Sequence, residues 1–98
     1  MNSYDNKVQI AMGYIDAIYR IETMRTEGVT GLYGLEQHRL QKHGELCEAL
    51  MINREKTKDI CLNLDKSIGF NLDELNKDFD FYLEKYAKRL VEKLAQLM

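Results

Sequence analysis

The sequence predicts an all-α protein: a small helical bundle of three long helices, or of four if the second breaks near residue 53. Three observations predict it. Apolar residues recur at threes and fours along most of the chain, the spacing that lines one side of a helix. The 98 residues include no proline, so the strongest helix breaker is missing from every long segment. Three of the six glycines fall within residues 27–34, where they mark the clearest loop.

The first segment runs from about Tyr4 to Thr26, with Ser3 available as its N-cap. Gln9, Gly13, Asp16, Arg20, Thr23 and Glu27 form one narrow polar stripe on a helical wheel, and nearly all the rest is apolar. An ordinary surface helix shows an apolar stripe a little over ~100° wide; here the arc covers about two thirds of the circumference. Such a helix is expected to lie centrally or against another chain. Gly28 fits the left-handed position that closes a helix, and Thr30 is expected to cap the next helix.

The second segment, from about Leu32 to Lys66, carries Leu40, His43, Leu46, Cys47, Leu50, Cys61 and Leu64 near one face. Residues 53–59 (NREKTKD) contain no apolar side chain. Two readings are open: a break near Asn53, or one helix about 50 Å long with a solvated middle. Good helix formers at residues 53–59, with no Gly or Pro among them, favour the continuous helix. On it, Cys47 and Cys61 would lie about 21 Å apart, beyond disulfide reach. Gly69 suits a C-cap, and Asn71 with Glu74 makes a capping signature. The third segment, about Leu72 to Leu97, repeats leucines and aromatics at threes and fours. Acidic residues come early in it and basic residues late, as the helix dipole favours.

The chain is read as a single helical domain over residues 1–98. Basic residues number 14 and acidic residues 16, a net charge of −2. That balance argues against nucleic acid as a partner, since phosphate neutralisation requires a basic excess. The polar N-terminus carries no secretory signal, and no apolar run is long enough for a membrane span. With two cysteines read as reduced thiols, the expected location is cytoplasmic.

Two constellations bear on function. Arg25, Tyr33, His38, Arg39 and Lys42 gather around the glycine-rich turn at residues 22–43, where an antiparallel hairpin would bring them together at a helix N-terminus. That is a candidate site for a small anion or a nucleotide; capping alone also accounts for the glycines. His43 and Cys47, four apart on one face, could chelate an ion with Glu36. A structural zinc needs four ligands in recognised spacing, so no metal and no cofactor are expected. No Gly-x-Ser-x-Gly occurs and no oriented nucleophile–base pair is evident, so the chain reads as a non-enzyme.

The favoured function is therefore a protein–protein interaction module: a small regulator, inhibitor or assembly subunit acting as a homo-oligomer. Its partners would be a second copy and another protein. Counting the faces of the first helix supports it, because two flanking helices would leave Met12 and Tyr19 exposed as a contact surface. The alternative is the anion or nucleotide site at the turn.

Overall fold

The computed structural model describes residues 3–97. They form six helices: α1 (Ser3–Thr26), α2 (Tyr33–Leu50), α3 (Arg54–Leu62), α4 (Leu64–Ile68), α5 (Leu72–Lys77) and α6 (Phe79–Ala95). No strand occurs among the described residues, and none of their helices is long and apolar enough to cross a membrane. The all-α class holds, and the second long segment breaks near residue 53, as the alternative reading has it; the described residues form six helices rather than three or four.

Local chemistry accounts for several boundaries. Helix α1 starts at Ser3, whose side chain, and with it the expected cap, lies outside the described part. At the other end Gly28 takes φ 81°. The Val29 N–H donates to the Met24 carbonyl at 2.9 Å and the Gly28 N–H to Arg25 at 3.0 Å, a paired closure that satisfies the last carbonyls. Leu32, not Thr30, stands at the N-cap of α2 and makes no side-chain cap bond. Further on, Gly69 at φ 73° closes α4, and the Asn71 side chain accepts from the Asp73 and Glu74 N–H groups to open α5.

The continuous second helix is corrected to two helices meeting at a sharp corner. Met51 sits in the left-handed region at φ 57° and its N–H turns back to Cys47 and Glu48. The Asn53 side chain then accepts from the Glu55 N–H at 2.8 Å and starts α3. A left-handed non-glycine costs roughly 1–2 kcal/mol, and an Asn cap returns about 1 kcal/mol. The corner also buries Ile52, worth roughly 1.5–3 kcal/mol more, and takes Thr57 out of water completely. A straight helix would have left this segment with nothing to pack on. The turn therefore forms without a glycine.

The third segment is also interrupted. Asp78, at φ −150° and ψ 86°, ends α5 and caps α6 by accepting from the Phe81 N–H at 3.3 Å. Between α3 and α4, Asn63 makes a smaller break, bridged by the Ser67 hydroxyl donating to the Ile60 carbonyl at 2.9 Å.

Helix α1 is central. It runs antiparallel to α2, so that Gly13 lies by Lys42, Tyr14 by His43 and Arg25 by Glu36. On its other side are α5 and α6. Ala11, Tyr14 and Ile15 of α1 join Leu46, Leu50, Leu64, Leu75, Tyr86, Leu90 and Leu94 in one core. Met12 and Tyr19, expected to remain exposed, are partly buried against that core. The Tyr19 ring lies 5.1 Å from Phe79 and its hydroxyl donates to the Asn76 side chain. The kink at Asp78 explains this: α5 swings over a side of α1 that two straight neighbours would have left bare.

Candidate functional site

A half-open cleft of about 520 Å³ lies between α1, the start of α2 and the α3–α4 corner. Ile18 and Ile21 come from α1, Leu62 and Leu64 from the corner, and Phe70 from the loop before α5. Tyr14 and Cys61 reach it from the interior side, and Glu22, Arg25, Glu36, Arg39 and Asp65 bring charge to it. Its size is that of a ligand or side-chain pocket. The break at residues 51–53 makes it, because only the reversal of α3 brings residues 61–65 back beside α1.

The charged groups are largely committed to one another. Glu36 bridges two arginines, with Oε1 2.6 Å from Arg25 Nη2 and Oε2 3.0 Å from Arg39 Nε. Arg25 also lies 3.7 Å from Glu22. Burial alone would lower the Arg39 pKa, but the hydrogen bond and negative charge of Glu36 outweigh it and raise it. Three carboxylates against two guanidiniums leave the cleft with one net negative charge. Asp65 is the lining charge without an ion pair among the described residues.

The interior groups are held in their neutral forms. Burial above all pushes the Tyr14 hydroxyl far above its ordinary value, and burial likewise raises the Cys61 thiol to about 11. A thiol so raised carries almost no thiolate at neutral pH and is a poor nucleophile. His43 turns to Thr57, its Nε2 lying 2.8 Å from the hydroxyl oxygen. With that hydroxyl donating to the Arg54 carbonyl at 2.8 Å, it accepts from the imidazole, an arrangement that favours the tautomer with the proton on Nε2. Cys47 Sγ is 3.6 Å from the same oxygen. Burial first, then the charges of Arg54 and Arg39, lower the His43 pKa. His43 and Cys47 thus converge on one threonine hydroxyl, with Cys61 one turn beyond Thr57 on α3. The two free thiols flank Thr57, so the 21 Å separation of a continuous helix is corrected by the corner.

Of the residues assigned to an anion site, the fold brings Arg25 and Arg39 together, with Glu36 between them. It does not bring the others there. Tyr33 projects into solvent, 76% exposed. His38 borders a separate shallow depression with Gly34, Gln41 and Arg54. Lys42 lies along α1 over Gly13 and pairs with Glu45 at 3.3 Å. The reading from sequence missed Cys61, Leu62, Asp65 and Phe70, which a continuous helix would have carried far from the turn. The signal that could have found them is the apolar-free run at 53–59 headed by Asn53, a helix start rather than a helix middle. No protein-family model, curated protein or solved structure matches the chain.

Proposed function

We propose that the chain is a non-enzymatic protein–protein interaction module that assembles with a second copy of itself, working in the cytoplasm as a small regulator or assembly subunit. One observation carries the reading: Leu62, 74% exposed, stands at the lip of a cleft whose floor of Ile18, Ile21, Leu64 and Phe70 is rimmed by charged side chains. An exposed leucine beside an open pocket with an apolar part is surface that gains by being covered. The chemistry around it supports binding over catalysis, since the thiol there is kept protonated and the one buried histidine is engaged with Thr57. Two free thiols fit a reducing compartment.

The anion or nucleotide reading takes second place for an electrostatic reason. A phosphate group would have to displace Glu36 from both arginines and enter a cleft of net negative charge.

Mass in solution tests the proposal. Sedimentation equilibrium from about 1 to 100 μM spans the range in which modest interfaces associate, and a dimer or higher assembly is expected there. A monomer throughout that range would remove the reading.

A further inference from the structure

We infer that two copies pair about a two-fold axis beside the α3–α4 corner, each seating its Leu62 in the other's cleft. The inference rests on the self-assembly proposed above and names its surface. Leu62 projects from the chain while also lining the cleft, so knob and hole lie side by side on one surface. That is the arrangement an isologous contact requires, because a two-fold rotation exchanges adjacent features. A partner of another kind would need only the hole.

Charge points the same way. Glu22, Arg25, Glu36 and Arg39 are paired within the chain. Asp65 and Lys66, consecutive and exposed on α4, have no ion pair in their own chain among the described residues. Asp65 therefore gives the cleft one free negative charge, and the free positive charge of Lys66 follows it on α4. Across a two-fold axis Asp65 of one copy meets Lys66 of the other, twice, and the contact becomes neutral without recruiting a group from elsewhere. The cleft, at about 520 Å³, is several times the volume of a leucine side chain. It accepts the tip of the corner rather than a lone methyl group.

The test compares the wild type with four variants of the full chain by sedimentation equilibrium, with circular dichroism as the check on folding. Leu62→Glu replaces a side chain that is already mostly in water, so the fold should tolerate it, and Leu62→Ser serves if it does not. The expected result is a weakening of dimerisation by at least ~100-fold with an unchanged helical spectrum. Asp65→Lys places like charges opposite one another and should weaken the dimer by roughly 10-fold at low salt. The exchange Asp65→Lys with Lys66→Asp should restore it, since both copies then carry the reversed pair. A wild type that dimerises while Leu62→Glu and Leu62→Ser leave the constant unchanged overturns this interface and leaves self-assembly standing. Failure of the charge exchange to recover what Asp65→Lys loses overturns the two-fold pairing. A monomeric wild type overturns both this inference and the reading beneath it.

Discussion

Thr57→Val is the sharpest test of how the corner is held. The side chain is fully buried, and its hydroxyl is the shared partner of His43, Cys47 and the Arg54 carbonyl. Valine keeps the shape and removes the oxygen. The His43 Nε2–H is then left without an acceptor in a site that is only 8% exposed, at a cost of roughly 1–3 kcal/mol. The Cys47 thiol, a weak donor, adds little. Burying a methyl in place of the hydroxyl returns up to about 0.8 kcal/mol. The balance is a loss of roughly 0.2–3 kcal/mol, and in a domain of this size each kcal/mol lowers Tm by about 4–8 °C.

Urea unfolding followed by far-UV circular dichroism at pH 7.5 reads this directly, with the slope unchanged. The same substitution in a His43→Leu background isolates the pair. With the donor gone, losing the acceptor should cost little, because replacing both partners by apolar groups is close to neutral. No loss in the wild-type background, or an equal cost in both backgrounds, would refute the assignment of the imidazole proton to Nε2 and of Thr57 as its acceptor.

Gly13→Ala should stabilise the chain by about 1 kcal/mol, since the added Cβ meets only the Lys42 stem at 3.6 and 3.8 Å in the middle of α1; thermal melting that fails to rise would place something else against that face. Stability should also depend on pH through His43. The unfolded imidazole takes up its proton near its ordinary pKa of 6.5, the folded one only at lower pH, so the stabilisation is complete above that value and is lost as the pH falls toward the folded pKa. Denaturant titrations between pH 8 and 5 should show the decline in wild type and a smaller one in His43→Leu; matching curves would mean that the folded imidazole is not shifted. Phosphate-bearing ligands, with ATP as the probe, should leave the melting temperature unmoved in wild type and in Arg25→Ala. A rise in wild type that the variant loses would reinstate the anion site.

What was legible in the sequence is what short-range chemistry controls. Gly28, Gly69 and Asn71 end and begin helices where their conformational and capping preferences put them. The run from Phe79 to Ala95 follows its leucine spacing. Met51 was not legible, because no local preference sends a methionine into the left-handed region; the burial of Ile52 and Thr57 offsets that cost, and burial is a property of the folded chain. Asp78 is a similar case, an acidic residue within an otherwise regular pattern that becomes a cap only because α5 packs on α1. The candidate site divided along the same line. Arg25 and Arg39 follow from a simple hairpin of α1 and α2. Leu62, Asp65 and Phe70 join them only after the corner is turned.

The same corner changes what the wide apolar arc of α1 means. That arc is a real excess, and an excess of apolar surface must be covered either by the chain itself or by a neighbour. Counting two straight flanking helices left Met12 and Tyr19 as the bare side. The chain spends its breaks on that side: Asp78 sends α5 across it, and Tyr19 finds Phe79 and Asn76. The corner at Met51 brings residues 61–65 toward the opposite flank without closing over it, and there Ile18 stays partly exposed and lines the cleft beside Leu62. Counting faces therefore still argues for a partner, but at the Ile18–Leu62 side rather than at Met12 and Tyr19. Placing glutamate at Met12 should accordingly act on folding stability, through a core contact, and placing it at Leu62 should act on association alone.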